Sequence, residues 1–250
     1  LHRLIRRQRQ MCIRDRLWRI TGQTFLKESE WKAWFKETGP YPETNLNPNA
    51  TPPAPSSFLD IPLWTNSVVY LVDEETMSGE SRDKLAEAKR LIRESISRLP
   101  TDTRINVIFF STGMRSFSYR GLVRVDPAVK LKVAEWLDRL QPIQVSGSDF
   151  HGTLLRVLKT RPDDVILISD NAPNAGRYVY PPKVVNEITE SNLYQKTRIH
   201  SVGFYTTLKQ KIDKKAYPVG STVDFLRELS MRNYGEFRYR WFPSKCSTAK

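Results

Sequence analysis

The chain has 250 residues, with 40 Lys and Arg against 27 Asp and Glu, a formal charge of +13 and 39% hydrophobic residues. That length suits one large domain or one domain with an appendage, and no apolar run approaches the ~18 residues of a membrane helix. With only two cysteines, Cys12 and Cys246, and with 11 Gly and 16 Pro, a disulfide scaffold, a cysteine-rich metal site and a low-complexity chain are excluded.

Residues 1–16 hold six Arg and one acid, a net of +5. Within them, Met11-Cys12-Ile13-Arg14-Asp15-Arg16 resembles a translation of ATG-TGT-ATA-AGA-GAC-AG, the mosaic end of a transposase sequencing adapter. Residues 1–16 are therefore read as a sequencing artefact, with the natural chain continuing upstream, and not as a basic arm. Residues 17–39 read as a short helical remnant of an upstream module. They carry Trp18, Phe25, Trp31, Trp34 and Phe35, with Trp31 and Trp34 on one face. Residues 40–63 form a linker that holds Pro40, Pro42, Pro48, Pro52, Pro53, Pro55 and Pro62 and cannot continue a helix. The main domain is expected over 64–243, with a tail at 244–250.

Regular periodicity begins after the linker. Residues 67–72 are a continuous apolar run, suited to a strand buried on both faces, and Asp73 ends it. Residues 82–99 form an amphipathic helix with Leu85, Ala88, Leu91, Ile92 and Ile96 inward, stopped by Pro100. A second buried strand spans 105–110. Short alternating pieces at 117–120 and 122–125 flank Gly121 and read as an edge hairpin. Helices are expected at 127–140 and 150–158. Residues 165–169 are a third buried strand, ended by Asp170. A helix opened by Pro181 and Pro182 covers 183–195, a strand 199–204, a last helix 222–233 and a last strand 236–240.

Strands that alternate with helices, several of them unbroken apolar runs, imply an α/β, Rossmann-like, doubly wound and mostly parallel sheet, with one antiparallel edge strand and helices on both faces. Sites of such folds lie beyond the carboxyl ends of the strands. Asp73 and Asp170 occupy two such ends, and the loop 146–149 reaches the same edge.

These segments resemble, in order, the motifs of von Willebrand factor A (vWA) domains. Val68-Val69-Tyr70-Leu71-Val72-Asp73-Glu74-Glu75-Thr76-Met77-Ser78-Gly79 is similar to the family's apolar strand followed by Asp-x-Ser-x-Ser and Met-Ser-Gly. Ser146-Gly147-Ser148-Asp149 stands where the family has Gly-Gly-Thr-Asp, and Ile168-Ser169-Asp170-Asn171-Ala172-Pro173 where it has Leu-Ser-Asp-Gly-x-Pro. Asn106 to Ser111, Arg198 to Phe204 and Phe225 to Gly235 resemble its second strand, late strand and last helix with its turn. The likeness covers about residues 67–241.

The resemblance implies a protein-binding domain of the adhesion or scaffold type, not an enzyme. It also implies a metal-ion-dependent adhesion site (MIDAS) that holds Mg²⁺ or Mn²⁺ through six oxygens. By correspondence its ligands here are Asp73, Glu75, Thr76, Ser148 and Asp170, with Ser78, Asp149 and Asn171 facing the partner. The implied partner is a protein that engages through an acidic residue. The first motif departs from the pattern. At strict spacing Glu75 and Met77 take the two Ser positions, whereas matching Met77-Ser78-Gly79 puts Thr76 at the second. The site is thus a degenerate one, with Glu75 either an oxygen ligand or a mark of its loss, and a metal-free structural module is the alternative. Upstream, Leu17-Trp18-Arg19-Ile20-Thr21-Gly22-Gln23-Thr24-Phe25 and Trp31-Lys32-Ala33-Trp34-Phe35 resemble a segment that follows HEAT-type repeats in planctomycete proteins.

Other chemistries fit less well. A haloacid-dehalogenase-type phosphatase would use Asp73 as nucleophile, but Glu75 and Met77 replace its second Asp and its Thr. Of the histidines, His2 lies in the suspect arm, His200 in a strand, and His151 borders the 146–149 loop. The basic run of Lys196, Arg198, Lys209, Lys211, Lys214 and Lys215 has no stacking aromatics beyond Tyr205 and Tyr217, so a solvated face is favoured over a nucleic-acid partner.

Overall fold

The structure is a computed structural model that describes residues 27–38, 56–76, 82–101, 103–144, 146–206 and 222–242. The chain divides into two compact units between Pro55 and Ser56. In the first, helix α1 spans Glu28–Thr38, with Glu28 and Glu30 in its first turn and Lys36 in its last, as the helix dipole favours. Glu28 and Lys32 pair at 2.7 Å, and Trp31 meets Trp34 edge to face at 6.0 Å. Residues 17–26 of the expected helical piece, residues 1–16 and most of the linker lie outside the described residues.

The second unit opens with a small hairpin, β1 (Ser57–Phe58) and β2 (Ile61–Pro62). Both residues of its turn, Leu59 and Asp60, have positive φ (45° and 62°), as a tight two-residue hairpin turn requires. Phe58, Ile61 and Leu63 are fully buried in the core. The packed unit therefore reaches further back into the proline-rich stretch than its composition suggests.

A seven-stranded sheet follows. Its strands are β3 (Ser67–Asp73), β4 (Arg104–Phe110), β5 (Met114–Ser116), β6 (Val123–Arg124), β7 (Asp164–Ser169), β8 (Arg198–Thr206) and β9 (Phe237–Phe242). The order is β5-β4-β3-β7-β8-β9, with β6 beside β5 on the outer side of β4. The β4, β3, β7, β8 and β9 neighbours all pair parallel, and β5 and β6 run antiparallel to β4. This is the α/β, mostly parallel fold that the unbroken apolar runs imply. The edge differs in detail, because residues 117–120 are not a strand. The Asn106 side chain takes over there: its Oδ1 accepts from Ser118 N–H at 3.2 Å and its Nδ2 donates to Ser118 O at 2.8 Å. A side-chain amide thus replaces a ladder and splits the edge into two short strands.

Alternate strand residues point to opposite faces. Val68, Tyr70, Val72, Val107, Phe109, Ile166 and Ile168 pack on one face with helices α2 (Arg82–Arg98) and α3 (Pro127–Arg139). Val69, Leu71, Ile108, Phe110, Val165 and Leu167 pack on the other with α4 (Phe150–Lys159), α5 (Pro181–Asn192) and α6 (Thr222–Arg232). Both faces being covered explains why these strands are apolar throughout instead of alternating. At the amino-terminal edge of the sheet, buried Asp164 accepts from Arg198 Nε at 2.5 Å and Nη2 at 2.7 Å. His200 Nε2 lies 3.3 Å away, while its Nδ1 accepts from Glu236 N–H. That backbone bond leaves the ring proton on Nε2, directed at Asp164.

Candidate functional site

The strand order places β3 between β4 and β7, so successive connections leave in opposite directions at β3 and a crevice opens over the carboxyl ends of β3 and β7. Asp73 closes β3 and is fully buried; Asp170 follows β7 and is buried as well. Glu75 N–H donates to Asp73 Oδ1 at 3.1 Å, a local turn that folds the chain back and brings Thr76 over the strand end. Glu74, between them, turns away to a half-buried ion pair with Arg115.

The third element is the loop into α4. Asp149 is the N-cap of that helix: its Oδ1 accepts from Gly152 N–H at 2.8 Å. Asp149 N–H donates to Ser111 O beyond β4 at 2.9 Å, and Ser148 N–H donates to Asn174 Oδ1 at 2.6 Å. The loop is thereby held against the ends of both β4 and β7, and Ser148 is pressed into the crevice with no exposure.

The hydroxyls and carboxylates meet there. Asp73 Oδ1 accepts from Ser148 Oγ at 2.5 Å, and Oδ2 accepts from Ser169 Oγ at 2.6 Å. Asn171 Nδ2 reaches the same Oδ2 at 3.3 Å. Thr76 Oγ1 lies 3.1 Å from Asp73 Oδ2 and 2.8 Å from Asp170 Oδ1, and accepts from Asp170 N–H at 2.8 Å. Glu75 Oε2 accepts from Asn174 Nδ2 at 2.8 Å and lies 3.3 Å from Ser148 Oγ. Asp73, Glu75, Thr76, Ser148 and Asp170 therefore form one connected hydrogen-bonded cluster. Met77 and Ser78 lie outside the described residues, as does Lys209 to Lys215 of the basic run.

Burial pushes the Asp73 carboxyl up to about 6, with the charges of Asp170 and Glu75 adding to it and the Ser148 and Ser169 hydroxyls opposing. Asp170 is compensated differently. Lys84, in the first turn of α2, places its Nζ 2.7 Å from Asp170 Oδ2, and the two side chains are only 4% and 8% exposed. Sequence reasoning missed Lys84, since a lysine in a helix ordinarily reads as solvated. One signal was available: Lys84 lies four residues before Ala88, on the apolar stripe of its helix.

His151 does not join the cluster. It is buried in the first turn of α4, edge to face with Tyr178 at 4.7 Å, and its Nε2 has no hydrogen-bond partner among the described residues. Among the described residues no group of three or more His, Cys, Asp or Glu side chains is placed to hold a metal, so any ion would depend on the hydroxyls. No described helix is long and apolar enough to cross a membrane.

No family model matches the chain, and no curated protein does either. Solved structures do. The chain is similar to a von Willebrand factor type A protein from Catenulispora acidiphila, with 16% identity and a TM-score of 0.53 over 70% of this chain and 38% of that one. It is also similar to proximal thread matrix protein 1 from the mussel byssus, with 15% identity and a TM-score of 0.51 over 68% of this chain and 42% of that one. This chain spans about two fifths of the length of these structures. At such identities the likeness is one of fold, and the fold is vWA-like.

Proposed function

We propose that the second unit is a protein-binding module of the adhesion or scaffold kind, which docks its partner on the carboxyl edge of the sheet. The observation that carries this reading is a polar centre engaged in internal hydrogen bonds and ringed by exposed loops. Asn174, Gly176 and Arg177 are exposed after β7, Ser146 before α4, and Gln141 and Gln144 after α3. Among them stand Tyr180, 68% exposed, Val179, 50%, and Ile143, 37%. Aromatic and apolar side chains set among polar ones suit a protein partner. The bonds from Ser148 to Asn174 and from Asn174 to Glu75 hold these loops in place, which lowers the ordering cost of binding. The vWA-like fold, with the motif resemblance, agrees.

Catalysis is not favoured. A nucleophilic Asp73 would need a lone pair open to substrate, yet the side chain has no exposure and both oxygens accept hydroxyl donors. An assay on a generic aryl phosphate should show no turnover.

The Mg²⁺ or Mn²⁺ that the resemblance implies finds hard oxygens in Asp73, Thr76, Ser148 and Asp170, the right chemistry for such an ion. As arranged they do not fit one, because Lys84 holds Asp170 Oδ2 and the hydroxyls are directed at carboxylates. Partner binding is accordingly assigned to the rim and not to a metal-bridged acid.

The test is affinity capture by the full chain from an extract of its source cells. Val179→Asp/Tyr180→Ala should lose the captured protein, while Lys159→Glu, at the opposite end of α4, should retain it. Equal capture by both variants would sink the reading.

A further inference from the structure

We propose that Lys84 is the resident cation of this site: its ammonium takes the place of a divalent ion, and the loop edge assembles without metal. The proposal concerns the chemistry of the same edge and holds whether or not a protein docks there. Its test therefore reads metal and stability, not capture.

Leu85, Ala88, Leu91, Ile92 and Ile96 are the buried apolar residues of helix α2, and Lys84 sits at the amino-terminal end of the same stripe, one turn before fully buried Ala88. The side chain is thus committed to the interior by its position on the helix, and the residue is only 3% exposed, as the apolar stem of a lysine allows. The helix begins at the carboxyl edge of the sheet, so the stem leads Nζ to Asp170 and not to solvent. A buried ammonium requires a charged partner, and Asp170 Oδ2 at 2.7 Å supplies it.

The rest of the cluster is arranged around that pair. A divalent ion needs up to six oxygen lone pairs aimed at one point. Here the lone pairs of the carboxylates are turned to protons instead. Asp73 Oδ1 takes the Ser148 hydroxyl and Oδ2 the Ser169 hydroxyl. Asp170 Oδ1 takes the Thr76 hydroxyl and Oδ2 the Lys84 ammonium. Ser169 Oγ in turn accepts from Asn171 N–H at 2.9 Å, and Thr76 Oγ1 from Asp170 N–H at 2.8 Å. The Ser169 and Thr76 hydroxyls thus both donate and accept within the protein, while Ser148 Oγ donates to Asp73. A divalent ion entering beside the fixed ammonium would meet a like charge in a space shielded from water, where repulsion is strong. The sequence agrees: of the two Ser positions of the metal-binding pattern, strict spacing puts Glu75 at one and Met77, a poor ligand for a hard ion, at the other.

The experiment compares the full chain with Lys84→Met and Lys84→Met/Asp170→Asn. Mn²⁺ binding is followed by electron paramagnetic resonance, and thermal unfolding is recorded in EDTA and in millimolar Mg²⁺ or Mn²⁺. The wild type should bind no Mn²⁺ at millimolar concentration and should keep the same midpoint in all three solutions. Lys84→Met strands a buried carboxylate and should lower the midpoint by about 10 °C. The double variant, which strands neither charge, should recover at least half of that loss. Stoichiometric Mn²⁺ binding by the wild type would overturn the proposal. So would a double variant no more stable than Lys84→Met, because Lys84 would then act by packing alone. Should Lys84→Met fail to fold, the wild-type titration and the folded state of the double variant still decide.

Discussion

Asp73 is the residue on which the carboxyl edge is built. It has no exposure and accepts from Ser148, Ser169 and a neighbouring backbone amide. Its carboxyl is pushed up to about 6, chiefly by burial and then by Asp170 and Glu75. An unfolded Asp ionises near ~3.9, so the native state binds this proton more tightly than the unfolded one. The contribution of Asp73 to stability therefore falls as pH rises from about 4 to about 6, by ~2–3 kcal/mol at most. Asp73→Asn should remove that segment of the stability curve in urea titrations run at successive pH values; an unchanged slope would contradict the assignment. Asp164 has the opposite sign. Burial opposes its ionisation, but the His200 hydrogen bond and the Arg198 charge prevail and hold its pKa below the usual range. Its stabilisation is complete above ~3.9 and is lost as pH falls through the lower native value. Asp164→Asn should leave Arg198 without its buried partner, at a cost of ~3–5 kcal/mol near neutrality, and flatten the acid limb of the curve. The carboxylates of the site were legible because strand ends are exceptional places for them. Lys84 was not, because only packing tells a buried lysine from a solvated one.

The loop into α4 and the loop after β7 act as one piece. Gly176 lies at φ +89°, and a Cβ there would come within 2.1 Å of Asp149 Oδ1, the atom that caps α4. Gly176→Ala should therefore cost ~1–3 kcal/mol, through strain at that φ and displacement of the cap. Asp149→Ala should cost ~1 kcal/mol alone, and less in the Gly176→Ala background, where the cap is already disturbed. Thermal unfolding of the four proteins measures this; full additivity would mean that the two loops are independent. Helix limits were largely legible. Pro181 and Pro182 open α5 because proline suits the first turn, where its missing N–H is not needed. The edge strands were not, because the bond from Asn106 to Ser118 that displaces them joins residues twelve apart.

Two cores, one on each face of the sheet, account for the stability of the second unit. The hairpin β1–β2 closes one of them: Phe58 packs on Tyr70 with ring centroids 5.8 Å apart, and Ser56 Oγ donates to Ser95 O at 2.9 Å. Phe58→Ala should cost ~3–5 kcal/mol, as expected for a buried aromatic. A chain begun at residue 64 should be destabilised by at least as much relative to one begun at residue 56, and equal urea midpoints would show the hairpin to be peripheral. Of the formal charge of +13, five charges fall in residues 1–16. Strand and helix periodicity, a local property, was enough to specify a parallel α/β sheet covered on both faces and to put Asp73, Ser148 and Asp170 on one edge. Whether that edge presents open ligands or an internally neutralised cluster depended on Lys84 meeting Asp170 across 86 residues of chain. Such a pairing is set by how α2 lies on the sheet, and no local pattern of residues records it.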